Sequence, residues 1–283
     1  MTEPRRIPET DPDARRWTRD TLETGALRYT LPPEALAQID AALALARENG
    51  LTIDTVEQED FRIPALARDV PELRRRLDAG AGFVVVSGIP EGAYDETESE
   101  IVAWAICNYM GAIIRQGIGQ DRRFFTVSDK GMPNGDPTRI GASPKRSPKH
   151  SDNGCLEPRA PDYLALYCVR SAAEGGESTL ISARTIHDTV AAERPDLLPL
   201  LFETYHFRAP QAHVWPSEGP TKRMPVLEVK GGELLLLNNL VLLHGREAFA
   251  AGSGGRTLKR FWMWRRHIGP GTDPVALDME EFA

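Results

Sequence analysis

The sequence predicts an α+β domain built on a strand-rich core, and three observations carry that expectation. Helical patterns concentrate before residue 112, short apolar runs crowd the remainder, and no regular βαβ alternation links them. At 283 residues the chain exceeds a typical single domain. All-β sandwiches and barrels of this size nevertheless close as one unit, so one domain over residues 31–283 is expected, preceded by a polar, proline-bearing arm over residues 1–30 lying on the surface. Hydrophobic residues make up 41%, enough to close a substantial core.

The elements follow in order. PPEALAQIDAALALAREN predicts a helix from Pro33 to Asn49, with proline at its start and Gly50 just past its end. A second helical stretch, Pro71 to Leu77, leads into GAGFVVVSGIP, whose valine-rich run bounded by glycines and a proline predicts a buried strand. DETESEIVAWAICNYMG begins with acids suited to a helix N-terminus and places Ile101, Trp104, Ala105 and Tyr109 at helical spacing, which predicts a third helix. Residues 117–149 read as a strand at Phe124 to Val127 followed by a long loop of the kind that often forms a functional lid. Beyond it, PDYLALYCVR and GGESTLIS predict strands, TIHDTVAAERPDL a helix, and Leu201–Arg208, Pro225–Val229, Glu233–Leu243 and Arg256–Arg265 further strands.

Charge and composition exclude several functions. With 41 acidic against 34 basic residues, a formal net charge of -7 offers no positive field for a phosphate backbone, so nucleic acid is not an expected partner. Cys107, Cys155 and Cys168 form no CxxC pair or disulfide framework, which predicts reduced thiols in a cytoplasmic protein. No stretch approaches the roughly 20 apolar residues of a membrane helix, and the arginine-bearing start lacks the apolar region of a signal peptide. A small-molecule substrate is the expected partner, and a homo-oligomer is compatible with this composition.

In KHSDNG, His150 and Asp152 are separated by one residue, and an extended backbone would turn both side chains to one face. The 2-His-1-carboxylate triad of non-haem iron oxygenases needs such a pair plus a second histidine, leaving open positions on the metal. LLLLNNLVLLHGREAF supplies one, an apolar run ending in His244 and Gly245. A strand over GGRTLKRFWMWRR would then place Arg256, Leu258, Arg260, Trp262 and Trp264 on one face. Guanidinium groups are costly to bury unless an anion meets them, so an inward-facing pair asks for a carboxylate ligand. Each motif alone has a plain alternative: a capping aspartate, a core histidine, solvated arginines.

Taken as an ordered set, these motifs resemble the taurine dioxygenase family, also called TauD/TfdA-like or clavaminate synthase-like. FVVVSGIP, KHSDN, PDYLALYCVRSAAEGGESTLIS, RPDLL, LLHGREAF and GRTLKRFW carry the likeness, over roughly residues 62–265. The resemblance implies a double-stranded β-helix, or jelly-roll, core with surrounding helices. It further implies Fe(II) on His150, Asp152 and His244, with 2-oxoglutarate as co-substrate and O2 as oxidant. Arg260 matches the position that holds the distal carboxylate of 2-oxoglutarate, Ser178 the hydroxyl that assists it, and Arg256 a further arginine near the co-substrate. Arg115 and Gln116 resemble a position near the active-site mouth, and Trp215, in HVWPSEGP, would line a lid. His187, His206, His213 and His267 match no partner and read as structural or solvated. Two other functions compete: a metal-free carboxylate-binding jelly roll, and a hydrolase using Ser151, His244 and Asp152, for which no G-x-S-x-G elbow exists.

Overall fold

A computed structural model describes residues 13–116, 122–130, 141–152, 161–203, 230–249 and 255–265. The order of elements explains where the core lies. Helices α1 (Pro33–Glu48), α2 (Pro64–Asp78) and α3 (Glu96–Met110) come early, with strands β1 (Arg28–Thr30) and β2 (Phe83–Ser87) beside them. Strands β3 (Ala112–Ile114), β4 (Phe125–Ser128), β5 (Ser147–His150), β6 (Tyr163–Arg170) and β7 (Ser178–Ser182) follow. After α4 (Ala183–Glu193) come β8 (Leu234–Asn238), β9 (Leu242–Arg246) and β10 (Thr257–Trp264). A large sheet runs β1-β2-β8-β6-β10-β3, with β4 also on β10, and a small sheet runs β5-β9-β7.

The large sheet is covered on both faces, and its sequence shows why. In β8, Leu234 and Leu236 pack against the helices, while Leu235 and Leu237 face the small sheet. In β2, Val84 and Val86 take the helical side and Phe83 and Val85 the other. Alternation of side chains along a strand then turns an unbroken apolar run into two cores, one on each face. Tyr163, Ala165 and Tyr167 of β6 join the helical core, and Leu164 joins the second.

Several expectations change. Helix α2 begins at Pro64, well before Pro71, which sits inside it. Pro64 already supplies the favoured first-turn proline, and burial of Ala65, Leu66, Val70, Leu73 and Leu77 on one stripe outweighs the interior proline. The single strand expected over Glu233–Leu243 is two strands in different sheets, parted by a turn at Asn239. Residues 198–202 form a 3₁₀ turn rather than the start of a strand; the rest of that predicted strand and all of Pro225–Val229 lie outside the described residues. Strand β5 lies within the segment read as loop. Residues 13–30 are tied into the body of the protein: β1 pairs in parallel with β2, and Trp17 is buried edge-on against Phe83 with ring centroids 5.6 Å apart.

Strand β10 joins the layers. Its odd-numbered residues Phe261 and Met263 pack into the helical core, and Lys259, fully buried, extends its ammonium to Glu100 at 2.6 Å, Glu96 at 2.7 Å and Thr126 at 3.2 Å. Removing one member of a buried ion pair strands the other charge, so Lys259→Ala should lower unfolding free energy by about 3–5 kcal/mol. Glu96→Ala, at a half-exposed partner, should cost under about 1 kcal/mol. Urea unfolding of the two variants measures both.

Candidate metal centre

The register of the small sheet brings the two histidines together. His150 on β5 lies directly across from His244 on β9, with ring centroids 4.4 Å apart. Close approach of the strands here depends on Gly245, where an added Cβ would stand 2.8 Å from the Ser147 carbonyl and 3.1 Å from that of Pro148. Asp152 follows two residues after His150, in a turn beyond the strand. Its Oδ1 is 3.1 Å from His150 Nε2 and 3.7 Å from His244 Nε2. One ligand atom from each residue lies within 4.8 Å of the others.

Each donor is oriented. His150 Nδ1 lies 2.8 Å from the Pro148 carbonyl and donates to it, which turns Nε2 toward Asp152. Burial holds the pKa of His244 down at about 4, so its imidazole is neutral, the form a metal requires. At His150 burial also opposes charge, but the hydrogen bond and charge of Asp152 prevail and raise its pKa. Burial works against ionisation of Asp152 as well, and Arg260 and the two imidazoles overcome it, keeping the carboxylate ionised. A dication would replace the proton that Asp152 and His150 share. Two imidazole nitrogens and one carboxylate oxygen converge, with Asp152 and His244 buried and His150 partly exposed, and fit a ferrous ion of the facial-triad kind.

The Asp152 backbone is held from β8's end. Asn239 Oδ1 accepts from Asp152 N at 2.8 Å, and Asn239 Nδ2 donates to the carbonyls of Asp152 at 2.9 Å and Pro161 at 3.1 Å. The far carboxylate oxygen, Oδ2, accepts from Trp262 Nε1 at 2.7 Å and faces Arg260 at 3.1 Å.

A pocket with about 540 Å³ of empty space opens beside the three ligands. Ser178, Arg246, Arg256 and Arg260 line it, with Val127, Leu166 and Leu258. The even-numbered face of β10 therefore points into the site. Its two arginines differ. Arg260 is engaged, with Nε on Gln116 Oε1 at 3.2 Å, one amino group on Asp152, and its plane between Trp262 and Phe125 at 4.5 and 5.1 Å. Arg256 is buried, and its Nη1 has no hydrogen-bond partner among the described residues. Burial lowers its pKa, the mark of a desolvated charge. Gly176, at φ 77°, makes room for it: an added Cβ would lie 2.8 Å from Arg256 Nε. Arg246 stacks with Arg256 on Phe249 and donates to the Ser143 carbonyl at 2.9 Å and to that of Lys145.

Of the residues singled out by sequence, the structure brings His150, Asp152, His244, Arg256, Arg260 and Ser178 to one pocket. Gln116 is buried and reaches that site through Arg260, its Nε2 donating to the Arg260 carbonyl at 3.2 Å. Arg115 is half-buried beside it, and Trp215, like Cys155, His206, His213 and His267, lies outside the described residues. Among the described residues no hydrogen bond joins Ser151 to His244, as a hydrolase would need. Asn239, Arg246 and Trp262 were not singled out for the site. The signals were an asparagine pair breaking an apolar run, an arginine two residues after His244, and a tryptophan two residues after Arg260.

The profile of the taurine catabolism dioxygenase TauD, TfdA family matches residues 49–230. The chain belongs to this family. Among curated proteins it is 27% identical over 221 residues to FR-33289 synthase of Streptomyces rubellomurinus, a match spanning 77% of this chain and 62% of that one. It is also 27% identical over 214 residues to the taurine hydroxylase-like protein SAT17 of Stachybotrys chartarum, spanning 71% and 51%. The chain thus matches about half to three-fifths of the length of these relatives. Among solved structures, asparagine oxygenase with Fe(II), 2S,3S-3-hydroxyasparagine and succinate superposes at a TM-score of 0.62, with 17% identity over 84% of this chain and 94% of that one. The non-heme iron oxygenase OrfP with Fe and alpha-ketoglutaric acid superposes at 0.56, with 19% identity and the same coverage. The fold is the jelly roll of these TauD-like oxygenases, helices on one side, as the sequence predicts. No helix among the described residues is long and apolar enough to cross a membrane.

Because Asn239 ties the ligand-bearing turn to β8, Asn239→Ala should lower Mn(II) affinity by roughly tenfold. It should also cost about 1–3 kcal/mol of stability from unsatisfied backbone groups. Calorimetric titration and urea unfolding measure the two, and unchanged affinity would relieve Asn239 of this role.

Proposed function

We propose that the chain is an Fe(II)- and 2-oxoglutarate-dependent dioxygenase that hydroxylates a small molecule in the cytoplasm, with His150, Asp152 and His244 as the iron ligands. The observation that carries this reading is the convergence of two imidazole nitrogens and one carboxylate oxygen at the wall of a pocket that also holds a buried guanidinium whose Nη1 has no hydrogen-bond partner among the described residues. Ferrous iron, when bound, supplies O2 activation coupled to conversion of 2-oxoglutarate into succinate and CO2, with oxidation of a substrate C–H bond.

The protein's own groups bind and orient. Arg256, buried with Nη1 unpartnered, is the better anchor for the distal carboxylate of 2-oxoglutarate, with the Ser178 hydroxyl beside it. The sequence had favoured Arg260 for that role, but the Arg260 guanidinium is already engaged by Asp152 and Gln116. Arg260 then faces the substrate side, together with Arg115 and Gln116, and Trp215 completes the substrate-binding set. Three arginines against one aspartate at the pocket favour a substrate with a carboxylate, such as an amino acid or small acid. The solved relatives hold a hydroxylated asparagine and a hydroxylated arginine, which supports that class. Asp152 occupies the ligand position that halogenating relatives leave to chloride, so hydroxylation or hydrogen removal is the expected outcome.

Succinate release under anaerobic loading and O2 exposure, screened over amino acids and small acids, tests the activity. His150→Ala and His244→Ala should each abolish it. Arg256→Ala should raise the KM for 2-oxoglutarate by on the order of 10- to 100-fold, the cost of losing a charge-assisted contact at a buried site. Arg260→Ala should change that KM less than it changes the KM of the second substrate. The reverse pattern would return the anchor role to Arg260.

A further inference from the structure

The two oxygens of the Asp152 carboxylate are treated differently by their surroundings. Oδ1 faces both imidazole Nε2 atoms, while Oδ2 is turned away toward β10, where Trp262 Nε1 donates at 2.7 Å and Arg260 lies at 3.1 Å. A carboxylate free to rotate can present both oxygens to one metal. Here that rotation would break a short hydrogen bond at a site where Asp152 is only 5% exposed. The two donors are not equivalent. Arg260 has five N–H groups, already divides them between Asp152 and Gln116, and stands where an entering carboxylate could draw it away. An indole has one N–H and accepts nothing, so Trp262 can serve only Oδ2.

We propose that Trp262 is a positioning residue that restricts Asp152 to a single-oxygen ligand and so preserves an open coordination position on the metal. Three protein atoms leave about three positions for co-substrate and O2. A chelating aspartate would take one of them. The inference rests on the reading of His150, Asp152 and His244 as a metal site.

The test is Trp262→Phe, which keeps an aromatic face for Arg260 and removes the N–H together with the pyrrole part of the indole. Mn(II) binding is followed by calorimetry, and Mn(II)-bound water by water-proton relaxivity. The expected result is an affinity change of about 10- to 100-fold and a relaxivity lower by about one third, as three bound waters become two. Far-UV circular dichroism of the metal-free variant should match the wild type, with the urea midpoint lowered only by the loss of one buried hydrogen bond. Should the variant not fold, Asp152→Ala serves instead: one of the five tryptophan indole N–H signals should leave its low-field, exchange-protected position in the ¹⁵N–¹H spectrum. Equal affinity and equal relaxivity in Trp262→Phe, or five unmoved indole signals in Asp152→Ala, overturn the inference alone. Failure of the wild type to bind Mn(II) overturns the metal reading and the inference with it.

Discussion

The arrangement turns on one buried anion. A carboxylate withdrawn from water is costly unless opposite charge and hydrogen bonds replace its hydration. Asp152 is met on every side: its backbone by Asn239, one oxygen by two imidazoles, the other by an indole and a guanidinium. These partners come from β5, β9, β10 and the turn after β8, so satisfying one side chain requires both sheets to be in register. The site thereby reports on the fold, and the fold is pinned at the site.

Such precision needs rigid walls, and the large sheet supplies them because it is the middle of three layers. Leu234 to Leu237 bury four consecutive side chains, alternately toward helices and toward the small sheet. Strand β10 follows the same rule with charges included: Lys259 goes to the helices and is neutralised by Glu96 and Glu100, whereas Arg256 and Arg260 go to the pocket. A one-residue slip of β10 would exchange these sets, burying arginines among Phe261's neighbours and offering the pocket one lysine. Register is therefore specified by electrostatics as well as by packing.

Much of this is legible in the sequence, and the reasons differ by element. His150, Asp152 and His244 stand out because metal chemistry restricts residue type and spacing. Helices α1 and α3 carry their own punctuation, Pro33 in one and the Asp95–Glu98 capping box in the other. What escaped was set by tertiary context. The β8–β9 turn hides in an apolar run because both strands are buried, so burial gives no contrast at Asn239. Helix α2 outruns Pro71 because packing of its apolar stripe overrides a local breaker. Asn239 and Trp262 act through hydrogen bonds to a residue far away in sequence, so the asparagine pair in the apolar run and the tryptophan beside Arg260 carry no local sign of the group they serve.

The same contextual effect separates the two pocket arginines. By strand alternation alone they share a face, four residues apart, and only the resemblance to a known family tells them apart in sequence. In the fold, Arg260 sits beside Asp152 and spends its charge there, with two aromatic rings fixing its plane. Arg256 lies just before β10, where Gly176 opens a slot, Phe249 offers a face, and the nearby charge of Glu177 does not offset the cost of burial. A guanidinium whose burial outweighs the charge near it is an unfavourable element of the free protein, and a carboxylate brought to it would offset that cost. On the proposed function, recognition of an acidic co-substrate and rigid support of the metal carboxylate are divided between two identical side chains by what each meets in the third dimension.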